Sequence, residues 1–330
     1  MLVRDGKLVL RFIDLFCGIG GFRVALAKLG HHCVFSSDFD EDARSIYEEN
    51  YGERPAGDIT TIPTSEVPIH DVLCGGFPCQ PFSISGNQAG FEDARGTLLQ
   101  EILRIARDRQ PKVLFLENVK NYRTHESGRT LGKTIQLLES ANYQVHFEVL
   151  NASRFGIAQK RERIYFVCFR KDLDISNFLF PVPTDEPISL KEYLLPQEDE
   201  RLEELFIERE DMRLSDNLPI KGENRPIRIG TVGKGGQGER VYSPLGHAIT
   251  LSAFGGGIGA KTGMYLINGK VRRLHPEECS RLMGFPRTFI QHPRKNVCYK
   301  LFGNSVVVPL IEKIFHSIEK SLSAKFPKAA

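Results

Sequence analysis

The chain has 330 residues, of which 41% are hydrophobic, so it is long enough for one large domain with a packed core and a smaller second domain. Its net charge of +3 is too small to identify a polyanionic partner by itself. The seven cysteines include no CxxC pair, which argues against a disulfide framework and against zinc. The N-terminus resembles neither a signal peptide nor a membrane span, so we expect a cytoplasmic protein with reduced thiols and no membrane partner.

Strand-like and helix-like segments alternate through the first half of the chain. This alternation is typical of βαβ units. It predicts an α/β fold with a doubly wound, mostly parallel sheet, whose site lies at the carboxyl ends of the strands. The segments are, in order, "KLVLRFIDLF" (strand), "GGFRVALAKLG" (helix), "HHCVFSSDFD" (strand), "EDARSIYEENYG" (helix), "HDVLCGGF" (strand), "RGTLLQEILRIARDRQP" (helix), "KVLFLENV" (strand) and "GRTLGKTIQLLESANY" (helix).

The pattern changes in the second half. "YQVHFEVLNA" and "RERIYFVCFRK" predict an antiparallel pair of strands at the sheet edge, with no helix between them. A proline-containing linker starts at about residue 181, and short strand-like pieces between clustered glycines then predict a small, loop-rich domain. The last segment predicts a helix that packs back on the first domain. Its apolar residues recur at helical spacing, at positions 307, 311, 314, 315, 318 and 322.

Charge is segregated within the small domain. Lys191 to Asp216 contains 4 basic and 10 acidic residues, a net of −6, whereas Lys221 to Arg273 contains 9 basic and 2 acidic residues, a net of +7. A basic face suits phosphates, although most charge runs are simply solvated surface.

A glycine-rich turn, "DLFCGIGGF" (residues 14–22), connects the first strand to the first helix. Glycines there allow a ligand to approach the helix N-terminus, although a tight connection alone would also explain them. Asp38, 18 residues after Gly20, ends the second strand where an acid can accept ribose hydroxyls, and Asp58 follows the next strand-like position. The turn lacks dinucleotide spacing, which favours an adenosine ligand without a pyrophosphate, such as S-adenosyl-L-methionine. Phe16 and Phe39 could sandwich the adenine; the alternative, equally weighted, is that both belong to the core.

A cysteine lies between two prolines in "GGFPCQPFS" (residues 75–83), directly after the third strand. A free thiol has a pKa of about 8.5, so a nucleophilic Cys79 needs assistance from a cation, a helix end or coupled proton transfer. Glu117 ends the next strand at the same sheet edge. Burial there would raise the pKa of Glu117 and allow it to donate a proton. The alternative for an isolated glutamate at this position is a helix cap.

Six blocks of this sequence resemble, in order, those of DNA (cytosine-5) methyltransferases. They are "FIDLFCGIGGF", "GGFPCQPFS", "ENV", "QKRERIYFV", "RRLHPEECSRLMGFP" and "GNSVVVPLI", and the resemblance runs from about residue 11 to 315. The glycine-rich segment that begins "VGKGGQGERVYS" is similar to the target-recognition region of HhaI-type bacterial modification methyltransferases, which read GCGC. Phe39 stands where the family often has tryptophan. The fold implied is the Rossmann-like fold of S-adenosylmethionine-dependent methyltransferases with a small target-recognition domain.

The resemblance implies a specific chemistry for the catalytic residues. The Cys79 thiolate attacks carbon 6 of cytosine, Glu117 neutralises ring nitrogen 3, and Arg163 holds the carbonyl oxygen. Arg161 lies two residues before Arg163 on the same predicted strand, and an edge-strand salt bridge is the alternative for it. The predicted catalytic set is Cys79, Glu117, Arg163, Arg161 and Asn118.

The cofactor set follows in the same way. Asn304 and Ser305 would complete the pocket at the start of the terminal helix, where they could also be an N-cap pair. The predicted cofactor residues are Phe16, Gly18, Gly20, Gly21, Asp38, Phe39, Asp58, Ile59, Leu98, Asn304 and Ser305.

Attack at carbon 6 requires a target base that has left the duplex. Gln237 would then pair with the orphan guanine, Arg240 would read guanine from the major groove, and Ser85 would press from the minor groove. A flexible glycine linker is the alternative for this segment. The predicted DNA-contact residues are Ser85, Lys234, Gln237, Arg240, Thr250, Gly255, Gly256 and Gly257.

The predicted organisation is a catalytic domain (1–185 and 300–330), a target-recognition domain (186–273) and a hinge (274–299). The expected partners are double-stranded DNA and a cognate restriction endonuclease, and the expected state is a monomer. Three alternatives remain open at this point: a tRNA cytosine-5 methyltransferase, a non-catalytic DNA-binding paralogue and, from the glycine turn alone, a nicotinamide dehydrogenase.

Overall fold

The computed structural model of the chain describes residues 2–4, 7–77 and 98–326. The strands are β1 (Leu2–Arg4), β2 (Lys7–Val9), β3 (Arg11–Leu15), β4 (His32–Ser37), β5 (Val72–Gly76), β6 (Val113–Val119), β7 (Tyr143–Asn151), β8 (Glu162–Arg170), β9 (Arg213–Leu214), β10 (Ile227–Thr231), β11 (Arg240–Ser243), β12 (Met264–Ile267) and β13 (Lys270–Arg272). The α-helices are α1 (Gly21–Lys28), α2 (Glu41–Tyr51), α3 (Leu98–Arg109), α4 (Arg129–Ser140), α5 (Pro276–Met283), α6 (Lys295–Asn304) and α7 (Val308–Lys325).

Two compact units make up the chain. The first consists of Met1–Leu150, Arg163–Pro181 and Ile311–Ala330, and the second of Asn151–Glu162 and Val182–Leu310. The target-recognition domain (186–273) and the hinge (274–299) were defined by their expected roles in DNA recognition. Their bounds therefore stay a prediction.

The first unit is built on a six-stranded sheet in the order β4-β3-β5-β6-β8-β7. Strands β3, β4, β5 and β6 are parallel, and β8 runs antiparallel to β6. The predicted doubly wound, mostly parallel sheet is therefore confirmed, as is the placement of β7 and β8 at one end of it. In this sheet β4 lies on one side of β3, and β5, the next strand in the chain, lies on the other side. This reversal opens a crevice at the carboxyl ends of β3 and β5, where ligands of such folds bind.

Apolar side chains cover both faces of this sheet. On one face Ile13, Leu73 and Leu114 pack with the buried side of α3. On the other, the Phe115 ring lies 5.2 Å from Phe22 of α1 and 6.3 Å from Phe315 of α7, measured between ring centroids. The predicted terminal helix and its return to the first unit are confirmed. Its apolar residues, all 0% exposed, are Ile311, Ile314, Phe315, Ile318 and Leu322.

The helical run 295–325 is long and apolar enough by composition to cross a membrane, with a mean hydropathy of 1.2 over its most apolar window. However, 67% of that window is buried inside the protein. Burial of this kind is also found for the core helices of soluble proteins, so the run is weak support for a membrane span.

The second unit has a five-stranded sheet in the order β13-β12-β11-β10-β9. A small core of Val232, Val241 and Met264 lies against it. Arg272 and Glu278 form a buried ion pair of 2.7 Å, and Glu278 also accepts from the backbone N–H groups of Leu195 and His275. A buried ion pair needs such additional hydrogen bonds to offset its desolvation. The block "RRLHPEECSRLMGFP" therefore holds several segments of this unit together.

The predicted position of Asn304 and Ser305 at the start of the terminal helix is wrong. Asn304 is the last residue of α6, and Ser305, with φ −79° and ψ 164°, is extended. The N–H of Ser305 bonds to the carbonyl of Phe302 and closes α6, so the pair cannot cap α7, which begins at Val308. Pro309 follows in the first turn of α7, where a helix needs no N–H donor.

Candidate active site

The glycine turn after β3 contains left-handed backbone conformations, which glycine adopts more easily than other residues. Phe16 (φ 55°), Gly18 (φ 53°) and Gly20 (φ 80°) are all left-handed. The N–H of Cys17 bonds to the carbonyl of Ser37, which ties the turn to the end of β4. Gly21 is buried at the first position of α1. The turn therefore presents its backbone at the helix N-terminus, as a ligand site in this crevice requires.

Gly20 and Gly18 differ in what surrounds them. A Cβ on Gly20 would lie 2.6 Å from the ring of Tyr51, whose hydroxyl donates to the carbonyl of Ile19 at 3.1 Å. A Cβ on Gly18 would have no atom of the described residues within 4 Å. Gly20 is therefore required for packing beneath the turn, whereas the open side at Gly18 leaves room for a ligand atom.

Asp38, predicted to bind ribose, is 9% exposed and also braces the turn. Its Oδ2 accepts from the N–H of Gly18 at 2.7 Å, and its Oδ1 accepts from the N–H of Asp40 at 2.8 Å. Each carboxylate oxygen can accept more than one hydrogen bond, so these contacts are compatible with a ribose as well.

The remaining predicted cofactor residues divide by burial. Phe39 is 74% exposed, which rules out the core alternative for its ring, whereas Phe16 is partly buried against the core. Asp58 is exposed and accepts from the N–H of Thr60, while the side chain of Ile59 is buried in the core, 2% exposed. Leu98, the first residue of α3, packs on that core. Because the side chain of Ile59 is buried in the core, this residue can face a ligand with its backbone only.

Glu117 and Arg163 meet at the carboxyl end of β6. Arg163 Nε lies 3.1 Å from Glu117 Oε1, and the two side chains are 15% and 12% exposed. Glu117 is also paired with Gly76 of β5, where the added Cβ would sit 3.6 Å from Glu117 Oε2. The structure thus brings a carboxyl group and a guanidinium together beside the predicted crevice.

Asn118 is 2% exposed and points toward β5. Its Nδ2 donates to the carbonyl of Phe77 at 2.9 Å, and its Oδ1 accepts from the N–H of Val119 at 2.8 Å. Phe77 is two residues before Cys79. Two predicted site residues, Cys79 and Ser85, lie outside the described residues.

Six of the seven cysteines lie within the described part of the chain. Burial raises the pKa of every one of them, and for Cys298 to about 11. A thiol with a raised pKa stays protonated at neutral pH and is a poor nucleophile. None of these six therefore has the chemistry of a catalytic thiolate. They are Cys17, Cys33, Cys74, Cys168, Cys279 and Cys298.

Two glycine loops of the second unit contact each other directly. The N–H of Gly259 donates to the carbonyl of Gly238 at 2.8 Å, and a Cβ on Gly238 would overlap the carbonyl oxygen of Gly256. The loop 233–240 and the loop 255–259 are therefore joined backbone to backbone. The predicted DNA-contact residues on them, all exposed, are Lys234, Gln237, Gly255, Gly256 and Gly257.

Arg240 is half-buried at the first position of β11, directly after a short turn that Glu239 caps by accepting from Gly236. The Thr250 hydroxyl donates to the carbonyl of Lys160 at 2.5 Å. Phe254, 74% exposed beside the second loop, carried no prediction, since one aromatic residue among glycines gives no distinctive pattern.

The predicted catalytic residue Arg161 is 3% exposed. Its guanidinium donates to the carbonyls of Leu251, Gly303 and Ser305 at 2.8 to 2.9 Å. Gln159, which carried no predicted role, is 0% exposed and accepts from the N–H of Leu251 at 3.1 Å. Its place two residues before Arg161 was the available signal, since alternate residues of an extended segment share a side.

Comparisons with known proteins show the family of the chain. A family model described as "C-5 cytosine-specific DNA methylase" matches residues 10–320. The chain is 52% identical to the Type II methyltransferase M.HhaI of Haemophilus parahaemolyticus over 98% of each chain. It is 42% identical to the Type II methyltransferase M.NgoBI of Neisseria gonorrhoeae over 96% of this chain and 93% of the relative.

Solved structures support the fold alone, because their sequence identities are low. The S. pombe Dnmt2 methyltransferase has a TM-score of 0.73 at 19% identity and covers 97% of this chain and 100% of its own. A putative DNA modification methyltransferase encoded within an E. coli prophage has a TM-score of 0.69 at 21% identity, over 95% and 99%. The predicted Rossmann-like methyltransferase fold is confirmed, and from the family match the chain belongs to the C-5 cytosine-specific DNA methylases and is a DNA cytosine-5 methyltransferase.

Proposed function

We propose that the protein transfers a methyl group from S-adenosyl-L-methionine to carbon 5 of a flipped-out cytosine in a short duplex DNA site. The observation that carries the proposal is the Glu117–Arg163 pair at the carboxyl edge of the sheet, in a chain of this family. Its relatives are named Type II methyltransferases, which supports a place in restriction–modification. From its similarity to M.HhaI, the proposed site is GCGC-like.

The proposed chemistry starts from the low reactivity of cytosine carbon 5. The Cys79 thiolate forms a bond to carbon 6, and the electron pair of the ring double bond moves toward carbon 5. Glu117, as the acid, donates to nitrogen 3, and Arg163 donates to the carbonyl oxygen. Carbon 5 then takes the methyl group, and loss of its proton and of the thiolate restores the ring. Cys79 is the candidate nucleophile because of its place in the block "GGFPCQPFS", and the raised pKa of the six described cysteines gives no competing thiolate among them.

The turn at Gly18 fits the proposed cofactor. An open side at Gly18, an exposed Phe39 ring and the Asp38 carboxylate at the same turn suit an adenosine with a charged tail. When bound, S-adenosyl-L-methionine supplies an electrophilic methyl group on a sulfonium. Gly20, Gly21 and the backbone of Ile59 shape the site around it. Asn304 and Ser305 remain proposed cofactor residues, although they do not cap α7.

DNA is the proposed partner of the glycine loops. Gln237 would fill the gap left by the flipped base, and Arg240 would read a guanine edge. Lys234, Thr250 and Gly255–Gly257 would contact the duplex from the same unit, with Ser85 as a further proposed contact. We also propose the 186–273 recognition domain with its 274–299 hinge, a monomeric state, a cytoplasmic location and a cognate endonuclease.

Methylation mapping tests the proposed function directly. Purified protein and S-adenosyl-L-methionine are incubated with an unmethylated plasmid and, separately, with tRNA, and 5-methylcytosine is mapped by bisulfite sequencing. We expect one cytosine in every GCGC site of the plasmid to be methylated and so to resist bisulfite. Methylation of tRNA and not of the plasmid, or methylation outside GCGC, would contradict the proposal.

Replacement of the proposed nucleophile tests the mechanism. Cys79→Ser is expected to abolish methyl transfer, because an alcohol is far less nucleophilic at neutral pH, and to leave cofactor binding unchanged. Duplex DNA with 5-fluorocytosine at the target should trap a covalent adduct with the wild-type protein and not with the variant. Retained turnover by the variant would rule out this nucleophile.

A further inference from the structure

The segment 158–161 runs alongside the segment 248–251 within the second unit. The N–H of Ala248 bonds to the carbonyl of Ala158 at 2.7 Å, and the N–H of Lys160 bonds to the carbonyl of Ala248 at 2.9 Å. The Thr250 hydroxyl then bonds to the carbonyl of Lys160. Two backbone hydrogen bonds at Ala248 and one from the Thr250 side chain thus join the two segments, outside the strands of the sheet.

Two buried side chains complete this pairing at Leu251. Gln159 Oε1 accepts from the N–H of Leu251, and Arg161 Nη1 donates to its carbonyl at 2.8 Å. Both backbone polar groups of Leu251 are therefore held by alternate side chains of the opposite segment. Gln159 Nε2 lies 3.4 Å from the carbonyl of Leu282 and from the sulfur of Met283, so its position is fixed from the other side as well.

Arg161 extends the attachment to a third segment. Its Nη2 donates to the carbonyls of Gly303 and Ser305 at the end of α6. The guanidinium is 3% exposed and donates to three carbonyl oxygens, so moving it would remove the hydrogen bond that each of them accepts from it. This arrangement suits a residue that holds backbone in place and does not suit one that reaches out to a base.

We propose that Gln159 and Arg161 are positioning residues that fix the backbone at Thr250–Leu251 and thereby set how strongly the protein discriminates between DNA sites. The inference rests on the proposed function, in which Thr250 and the nearby Gly255–Gly257 contact DNA. A recognition surface discriminates only if its groups are held in place, because a loose loop adapts to a wrong base pair at small cost. Arg161 therefore acts through Leu251 and does not act on the cytosine.

The test compares binding with chemistry in two variants. Arg161→Lys keeps the charge but replaces the two separate donor nitrogens that reach Leu251 and Gly303 with a single one, and Gln159→Met keeps the volume but removes the acceptor for Leu251. Dissociation constants are measured in S-adenosylhomocysteine for a duplex with the cognate site and for duplexes with one base pair changed. The discrimination ratio is the dissociation constant for a changed duplex divided by that for the cognate duplex. We expect this ratio to fall by roughly tenfold or more in each variant, as for loss of a buried charged or polar contact.

Lys160→Met is the matched control. The backbone of Lys160 forms the pairing with Ala248, whereas its side chain is exposed and points away from that pairing. We expect this variant to retain the wild-type ratio, whatever it does to overall affinity. The cofactor dissociation constant should stay unchanged in all three variants.

Three outcomes would overturn the inference. One is an unchanged ratio in both Arg161→Lys and Gln159→Met; if the lysine variant does not fold, the methionine variant decides alone. Another is an unchanged ratio with a large loss of kcat at saturating DNA in Arg161→Lys, which indicates direct action on the base. The third is an equal loss of ratio in Lys160→Met. Wild-type protein that methylates no duplex would instead contradict the proposed function.

Discussion

The Glu117–Arg163 pair brings together side chains from two strands that run in opposite directions. Glu117 lies near the carboxyl end of β6, and parallel strands bring their carboxyl ends to one edge, which places it at the crevice. Arg163 faces Val119 across the antiparallel pairing of β8 with β6, close enough for its side chain to reach Glu117. That second placement depends on the strand register, which the pattern of apolar residues does not specify.

Arg163→Lys tests the guanidinium at this position. A lysine is a single point charge and cannot contact Glu117 while also donating to a carbonyl oxygen in a fixed geometry. We expect kcat for methyl transfer to fall by roughly a hundredfold to a thousandfold, as for loss of a donor that stabilises developing charge. Single-turnover methyl transfer and cofactor binding would be measured together, and cofactor affinity should be unchanged.

The matched control is Arg154→Lys, which alters an exposed ion pair with Asp185. Exposed pairs contribute about 0–1 kcal/mol, so this variant should keep the wild-type rate. Equal rates for Arg163→Lys and the wild type would contradict the proposed contact with the carbonyl oxygen.

Asp38 and Arg161 illustrate what the sequence could not specify at the residue scale. An acid at the end of β4 was predicted to face a ribose, but its oxygens also accept from Gly18 and Asp40. Arg161 was placed on the same strand as Arg163, yet β8 begins at Glu162 and Arg161 points to three carbonyls. Each partner is a backbone group, and all but Asp40 are distant in sequence; such groups leave no trace in composition or spacing.

At the scale of elements, the joined glycine loops give a prediction with a steric cause. Gly238→Ala would place a Cβ against the carbonyl oxygen of Gly256, which is backbone and cannot rotate away. The loops 233–240 and 255–259 would have to separate. We expect duplex affinity to weaken by roughly tenfold or more, with no change in cofactor affinity, measured by titration of a labelled duplex and of cofactor.

Gly57→Ala is a suitable comparison, because a Cβ there lies more than 4 Å from the other atoms in the described part of the chain. It should leave duplex affinity unchanged. An unchanged affinity in Gly238→Ala as well would mean that the two loops act independently.

The opposite edge of the sheet, at the amino ends of its strands, is joined by Asp71. Its carboxylate accepts from Lys112 Nζ at 2.6 Å and from the N–H of Arg11 at 3.0 Å. Burial alone would raise the pKa of Asp71, but the hydrogen bonds and the charge of Lys112 outweigh it and hold the pKa below its usual value. The contact therefore stabilises the fold above the ordinary aspartate pKa, and that stability is lost as the pH falls through the lower folded-state pKa.

Asp71→Asn should lower the free energy of unfolding by about 1.5–3 kcal/mol at pH 7, where the wild-type carboxylate is charged. The difference from the wild type should shrink below the ordinary pKa of about 3.9, as measured by urea unfolding at several pH values. Asp108→Asn, at an exposed pair with Arg109, is the control and should change stability by less than about 1 kcal/mol. A pH-independent difference in Asp71→Asn would contradict the assigned charge.

Strands and helices were predictable where the apolar residues of a segment follow one clear periodicity, as in the βαβ alternation and in α7. The join between α6 and α7 was not, because "SVVVP" contains no glycine or acidic cap and its valines suit either state. The break is set instead by a hydrogen bond from Ser305 back to Phe302. The glycine-rich recognition segment was recognised by resemblance, since glycine clusters alone predict only a flexible linker.

At the scale of the whole molecule, the first unit is assembled from three separate stretches of the chain. The last of them, Ile311–Ala330, brings α7 back onto the sheet after the long stretch Val182–Leu310 of the second unit. Phe315 lies 4.8 Å from the ring of His31 and 6.3 Å from that of Phe115, between ring centroids. The C-terminal helix therefore completes the core of the unit that carries Glu117 and the glycine turn.

Phe315→Ala tests this dependence. Removal of a fully buried ring leaves a cavity, so the free energy of unfolding should fall by about 3–5 kcal/mol. Glu312→Ala, on the same helix, removes an ion pair with the exposed Lys28 and should cost less than about 1 kcal/mol. Both variants would be compared by denaturant unfolding followed through circular dichroism, with cofactor affinity measured in parallel. Because α7 packs beneath the sheet that carries the turn, Phe315→Ala should lose cofactor binding at lower denaturant than the wild type; equal midpoints for the two variants would show that the terminal helix is not part of this core.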